Sequence, residues 1–255
     1  MLDAALLKEA LQVPMALEAS EEFTDVTTDS RAIVPGCLFV ALKGERFDGH
    51  RFVAQALQEG ARAAVVSEVP EGVPADRCIQ VDDTLEAYQK IASCWRLKQK
   101  GLTVIAITGS NGKTSTKDCI AAVLGEKYRV IKTQANFNNE IGLPKTLLTI
   151  REDTEMAVVE MGMRGLGQIR AMKHIAFPDA AVITNVGDTH LELLGSLENI
   201  AKAKSEILED FNPKNHAFLN GDDPRVSVME TGATVHTYGI DSDVDVKAVE
   251  ITADG

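Results

Sequence analysis

The 255-residue chain is 45% hydrophobic and 25% charged, an ordinary globular composition with room for one large or two modest cores. Its net charge of −12, from 26 Lys and Arg against 38 Asp and Glu, argues against nucleic acid or an anionic membrane as the main partner. No apolar run approaches the roughly 18–20 residues of a membrane span.

The start, Met1 to Glu9, lacks a basic stretch followed by an apolar one, so no secretion signal is expected and the cytoplasm is the expected location. The four cysteines, Cys37, Cys78, Cys94 and Cys119, form no C-x-x-C pair and have no histidine at zinc-ligand spacing. They are expected to be reduced, buried thiols.

Residues 1–83 read as a small α/β unit. Strands are expected at Cys37–Leu42, Ala63–Ser67 and Cys78–Val81, with a helix over 49–59 and glycines and prolines punctuating the connections. A helix over 84–100 follows, with Leu85, Tyr88, Ile91, Ala92 and Trp95 on one stripe.

From Thr103 onward, strand, turn and helix alternate. Thr103–Ile107, Met156–Glu160 and Ala180–Val186 are apolar strands without polar alternation, which predicts a mostly parallel sheet flanked by helices. In such sheets ligands bind beyond the carboxyl ends of the strands. The predicted fold class is therefore α/β: a small N-terminal domain, 1–83, followed by a P-loop central domain, 84–255.

The segment Thr108-Gly-Ser-Asn-Gly-Lys-Thr-Ser115 follows the first of these strands and precedes a helix expected at Lys117–Leu124. Ile107 stands where a standard phosphate loop has its first glycine, so the segment fits the shorter form T-G-x-x-G-K-[ST]. Gly109 and Gly112 allow the tight turn that aims N–H groups at phosphate oxygens. Lys113 would neutralise the phosphates of ATP, and the Thr114 hydroxyl would ligate magnesium.

Glu160 ends the next strand, and a carboxylate there is placed to hold a hard cation. His190 lies in the loop after the third strand. Taken alone, Glu160 reads at least as well as a surface residue, and His190 reads more readily as a surface or capping residue.

Lys204 is the most informative position. Residues 197–211 read as an amphipathic helix in which Ile200, Ile207, Leu208 and Phe211 form the apolar stripe, with Lys204 in its middle. Lys202, Glu206 and Glu209 fall on the opposite side. An unpaired buried ammonium costs several kcal/mol. Lys204 must therefore snorkel, pair with a carboxylate, or change chemically, as by carbamylation.

Taken together, Thr108–Thr114, Asn136–Pro144, Glu160–Gly165, Thr184–Gly187, His190–Ser196 and Ala203–Ile207 resemble the Mur ligase family, and the resemblance runs over nearly the whole chain. Thr28–Arg31 and Leu38–Gly49 resemble its UDP-binding N-terminal domain. The Glu160–Arg164 and His190–Glu192 segments look most like members that join D-alanyl-D-alanine to UDP-MurNAc-tripeptide.

The resemblance implies ATP and Mg2+ as cofactors and an acyl-phosphate route. It gives Lys113, Glu160, His190 and Lys204 catalytic roles. Thr108, Gly109, Ser110, Asn111, Gly112, Lys113, Thr114 and Ser115 would hold ATP. Thr114 and Glu160 would ligate one magnesium ion, and His190 with a carbamylated Lys204 a second. Ser30, Arg31, Glu45, Arg46 and Phe47 would meet the uridine end. Asn138, Arg164 and Arg170, with Gln168, would steer the rest of the substrate, and Asn136 and Asn139 would line the cleft.

Family members carry a third, C-terminal domain, expected to be absent here, so the chain is expected to be a catalytically inactive monomer. The alternatives are another Mur-type ligase, such as a diamino-acid-adding or folate polyglutamate ligase, or a non-catalytic nucleotide-binding module.

Overall fold

The computed structural model describes residues 2–44 and 47–252. Glu45 and Arg46 of the expected uridine turn lie outside the described residues. The chain divides into two compact units: Met1–Lys100 with Leu147–Glu152, and Gly101–Thr146 with Asp153–Gly255.

In the first unit β1 (Leu2–Asp3) pairs antiparallel with β2 (Glu22–Phe23), and α1 (Ala4–Leu11) starts directly after β1. Asp3 caps α1 by accepting from the Leu6 N–H at 2.8 Å. A second sheet is all parallel, in the order β3 (Val26–Thr27), β4 (Leu38–Val40), β5 (Ala63–Val66), β6 (Cys78–Gln80). Between β4 and β5 the chain forms a 3-10 turn, Gly49–Phe52, and then α2 (Val53–Gln58), so the helix expected over 49–59 begins as a tighter turn. Phe39, Ala41, Val53, Ala56, Ala64 and Val66 make the core beneath. The parallel pairing explains the unbroken apolar strands, since both faces of such a sheet are covered.

Helix α3 (Thr84–Lys98) belongs with this unit, whereas the boundary read from the sequence falls at 83/84, just before it. Tyr88, Ile91, Ala92 and Trp95 are buried as the stripe requires, and Leu85 is half-buried. The Trp95 Nε1–H donates to the Ile150 carbonyl at 3.1 Å.

The second unit is built on a seven-stranded sheet in the order β13-β12-β11-β10-β7-β9-β8, and every described pairing in it is parallel. In chain order the elements are β7 (Thr103–Thr108), α4 (Lys113–Gly125), β8 (Val130–Lys132), α5 (Gly142–Leu148), β9 (Met156–Glu160), α6 (Gln168–Ala176), β10 (Ala180–Ile183), α7 (Leu191–Leu194), α8 (Leu197–Ser205), β11 (His216–Asn220), β12 (Thr234–Gly239) and β13 (Val246–Lys247). Ile107, Val158 and Val182, from the adjacent strands β7, β9 and β10, pack with Ala121 of α4. Each such aliphatic side chain contributes about 1.5–3 kcal/mol by leaving water.

Three element lengths differ from the sequence reading. Helix α4 starts at Lys113 rather than Lys117, because Gly112, at φ 79°, turns the chain straight into the helix. Strand β10 stops at Ile183, because Thr184 and Asn185 turn to bond the phosphate loop. Helix α8 ends at Ser205 and passes into a 3-10 turn, Glu206–Leu208, because Glu206 is drawn inward to the start of α6.

The expectation of buried thiols holds for Cys37 and Cys78. Cys94 is half-buried and Cys119, on the outer face of α4, is exposed; all four are free. Among the described residues no helix is long and apolar enough to cross a membrane.

The cap of α3 gives a check on the first unit. The Asp83 carboxylate accepts from Leu85 N at 2.7 Å and Glu86 N at 3.0 Å. Asp83→Ala should lower stability by about 1 kcal/mol in urea unfolding followed by circular dichroism. No loss would mean that the cap bonds contribute nothing.

Candidate active site

The phosphate-loop motif occupies the turn between β7 and α4. Gly109 has φ 152°, and a Cβ there would lie 1.8 Å from Thr184 Oγ1, so only glycine fits. The loop is laced to the end of β10. Ser110 N donates to the Asn185 carbonyl at 2.9 Å, Asn111 N to Asn185 Oδ1 at 3.0 Å, and Thr184 Oγ1 to the Asn111 carbonyl at 2.7 Å. The N–H groups of Ser110 and Asn111 are therefore engaged with Asn185. The free donors are those of the first turn of α4, at Lys113, Thr114 and Ser115, which have no acceptor within the helix.

Lys113 folds back over the loop, its Nζ donating to the carbonyls of Gly109 at 2.8 Å and Ser110 at 3.1 Å. Burial pulls its pKa down, against the opposing pull of Glu160.

Glu160, at the end of β9, is 3% exposed. Its Oε2 accepts from Thr114 Oγ1 at 2.9 Å and its Oε1 from Asn138 Nδ2 at 2.9 Å, while its own N–H donates to Thr133 Oγ1 at 3.0 Å. The donor set suits a hard divalent cation. Two oxygens 2.9 Å apart match the edge of a magnesium octahedron, about 3 Å for ligands at about 2.1 Å. Among the described residues no three His, Cys, Asp or Glu side chains cluster as a metal-binding group, so any ion here rests on the carboxylate–hydroxyl pair and on a bound ligand.

A cavity of about 450 Å3 opens beside these groups, lined by Lys113, Asn138, Arg164, Gln168, His190 and Lys204, with Asn136 and Asn139 also on its wall. His190 sits at φ 67°, a left-handed conformation uncommon outside glycine, and leads into α7.

Lys204 is 2% exposed and, among the described residues, its Nζ makes no hydrogen bond or ion pair. Burial first, and the charge of Lys113 second, pull its pKa down to about 7. Of the three outcomes left open by the sequence, no pairing with a carboxylate is seen among the described residues, and Lys204 lines the cavity rather than the outer surface. Lys113, Glu160, His190 and Lys204, distant in the chain, thus meet at one edge of the sheet.

Of the other expected site residues, Arg164 and Gln168 are on the cavity wall, and Arg170, Ser30, Arg31 and Phe47 are not. The Arg170 guanidinium is held by Glu209, at 2.6 and 2.7 Å, and is not part of the cavity wall. Arg164 N donates to Gln168 Oε1 at 2.6 Å. In the first unit Ser30 is half-buried, and Arg31, 88% exposed, is clamped by the Asp29 carboxylate at 2.7 and 2.9 Å. Phe47 is exposed and stacks on Phe52 with ring centroids 5.8 Å apart.

Sequence reasoning gave no role to Asn185 or Thr133, or to Glu206, which it placed on a polar face although it is 2% exposed. The signal for Asn185 was its position directly after an apolar strand on the loop-bearing edge.

Two outcomes follow. Gly109→Ala should cost about 2 kcal/mol or more in unfolding free energy, from backbone strain and the clash with Thr184. A neutral result would mean that the loop relaxes freely.

For Lys204 the native pKa lies below the unfolded value, so the native state bears the full cost of the ammonium below about pH 7. Stability then rises with pH until the unfolded lysine also loses its proton. The stability advantage of Lys204→Met over wild type should shrink by about 2 kcal/mol between pH 6 and pH 9. A pH-independent difference would show that the amine is not desolvated.

Residues 107–255 match the Mur ligase middle domain, and residues 22–135 match the Mur ligase family catalytic domain. The UDP-N-acetylmuramoyl-tripeptide–D-alanyl-D-alanine ligase of Bacillus subtilis is 46% identical over 228 residues, covering 89% of this chain and 50% of its own length. That of Escherichia coli is 43% identical over 197 residues, covering 77% and 43%. The chain spans about half the length of the curated relatives it matches. The crystal structure of MurF from Acinetobacter baumannii superposes with a TM-score of 0.89 at 34% identity, over 98% of this chain and 55% of that one. MurF ligase from Thermotoga maritima in complex with ADP superposes with a TM-score of 0.78 at 35% identity, over 86% and 51%. With two family domains matched over overlapping stretches of the sequence and a fold that superposes on solved relatives, the chain belongs to the Mur ligase family.

Proposed function

We propose that the chain is the nucleotide- and precursor-binding portion of a cytoplasmic ligase that joins D-alanyl-D-alanine to UDP-MurNAc-tripeptide at the expense of ATP. The first unit takes the UDP end, at Ser30, Arg31 and Phe47. The second takes ATP on the phosphate loop and the peptide end in the cavity. The observation that carries this reading is the convergence of Lys113, His190 and Lys204, unpaired among the described residues, on one cavity whose wall residue Asn138 holds the Glu160–Thr114 pair.

In the reaction the terminal carboxylate of the tripeptide takes the γ-phosphoryl group of ATP, giving an acyl phosphate and ADP. The amine of D-alanyl-D-alanine then attacks the acyl carbon, forms the amide and releases phosphate and a proton. The carboxylate approaches a polyanion, so the first step requires positive charge held in place beforehand. Lys113 supplies one such charge beside the loop carbonyls, and the first-turn N–H groups of α4 supply fixed partial charge. Mg2+, held at Glu160 and Thr114, would neutralise phosphate charge when bound.

Lys204 is suited to carbamylation. A desolvated amine with a pKa of about 7 is substantially neutral at physiological pH, and it adds CO2 to give a carbamate and a proton. The resulting anion, with His190, would serve a second ion.

Isothermal titration with Mg2+ and a non-hydrolysable ATP analogue should show binding that Lys113→Met weakens at least ~10-fold, as loss of a charge-assisted contact requires. 13C NMR in labelled bicarbonate should show a carbamate resonance that Lys204→Met abolishes. No nucleotide binding at millimolar analogue would end the ATP reading, and a carbamate signal that survives Lys204→Met would end the lysine assignment.

A further inference from the structure

The segment that follows Lys204 is fastened to α6 by a row of acidic groups. Glu206 Oε1 accepts from Gly167 N at 2.6 Å, and Oε2 accepts from Arg170 N at 3.1 Å. The Arg170 guanidinium lies 3.8 Å from the same carboxylate and is gripped by Glu209. Lys173 Nζ reaches the Glu209 carbonyl and, at 3.4 Å, the Asp210 carboxylate.

Glu206 differs from the other acidic groups of this row, Glu209 and Asp210, in being fully inside the protein, at 2% exposure. A carboxylate is held there only when its oxygens are satisfied, and the start of a helix, with its unpaired N–H groups and positive dipole end, does that. Two residues apart on one helical path, Lys204 and Glu206 face different ways. The amine borders the cavity and the carboxylate grips the opposite element. The turn it grips leads into Gln168, whose side chain holds the Arg164 N–H, and both residues line that same cavity.

We propose that Glu206 is a positioning residue. It fixes the Arg164–Gln168 wall of the cavity relative to Lys204, so that the group recognising the peptide end of the precursor and the lysine that works on it are held as one body. This rests on the proposed function for the identity of the ligand, while the fastening itself stands on the hydrogen bonds.

The test uses the 255-residue chain, as wild type and as Glu206→Gln, which keeps the size but replaces one of the two acceptor oxygens with an NH2 group. Three affinities are measured: for UDP-MurNAc-tripeptide, for UDP-MurNAc without the peptide, and for the Mg2+-bound ATP analogue. Amide hydrogen exchange is followed at Gly167 and Arg170 and across the second unit.

The variant should exchange at least ~10-fold faster at Gly167 and Arg170 with little change elsewhere. The gain in affinity from the peptide should fall at least ~10-fold, while UDP-MurNAc and nucleotide affinities stay within about twofold. The proposal is overturned if the two amides keep their protection, if the peptide gain survives although they lose it, or if protection falls uniformly through the unit. If the wild type binds the precursor no better with its peptide than without it, the ligase reading fails by itself. The exchange pattern then still decides whether Glu206 holds the cavity wall. Should Glu206→Gln not fold, Glu206→Asp, which keeps the charge but draws the oxygens back by one methylene, carries the same readouts.

Discussion

The parallel register of β7 between β9 and β10 is the constraint from which the site follows. Ile107 pairs with Glu160 on one side, and Thr108 pairs with Ile183 on the other. Because the strands run in one direction, the segments that leave them all emerge at the same edge. The phosphate loop, the Glu160 carboxylate and the Thr184–Gly187 turn meet there without any long excursion of the chain. The junction is locked by Thr108, whose hydroxyl donates to the Met161 carbonyl at 2.9 Å and whose own carbonyl accepts from Thr184 N at 3.0 Å. A slip of one residue in the β7–β9 pairing would turn Glu160 to the other face of the sheet and remove it from Thr114.

The electrostatics built on that edge are deliberately unbalanced. The chain as a whole carries a net charge of −12, yet the cavity gathers Lys113, Lys204 and Arg164 around few anions. Lys113 has Glu160 within its field and two carbonyls in contact, whereas Lys204 has neither. Burying an unpartnered cation is unfavourable in any fold. A site that tolerates it has either a ligand to offset the cost or a reaction that removes the charge, and both belong to the proposed function. The local excess of cations also resolves the tension between an acidic protein and an anionic ligand, since attraction is set by the nearest few charges rather than by the total.

What the sequence made legible was local. The phosphate loop could be read because its function demands particular residue types at fixed spacing between a strand and a helix. The parallel sheet could be read because strands buried on both faces lose their alternation. Lys204 stood out because helical periodicity set a charge among Ile200, Ile207 and Leu208, and those side chains are buried as expected. The same periodicity misplaced Glu206. It equates a polar side chain with a solvated face, and it is blind to the orphan N–H groups of a helix that starts some forty residues earlier in the chain. The Arg170 guanidinium is held by Glu209 for a related reason: that partner is brought to it by the same fastening. Asn185, Thr133 and Asn138 act through bonds between separate strand ends, which no single stretch of sequence reveals.

Two of them, Thr133 and Asn138, together with Thr114, explain how Glu160 is organised before any ligand arrives. Thr133 holds its backbone, and Asn138 donates to Oε1 from an amide NH2 group, which has no lone pair to offer a cation. The Thr114 hydroxyl at Oε2 is different, because an O–H can rotate and present a lone pair where it previously presented its proton. One oxygen of the carboxylate is thus committed to orientation and the other is free to exchange a hydrogen bond for a metal. The carboxylate, already desolvated and fixed, needs no reorganisation to make that exchange, and the preorganisation rests on the strand pairing that put Thr114 and Glu160 side by side.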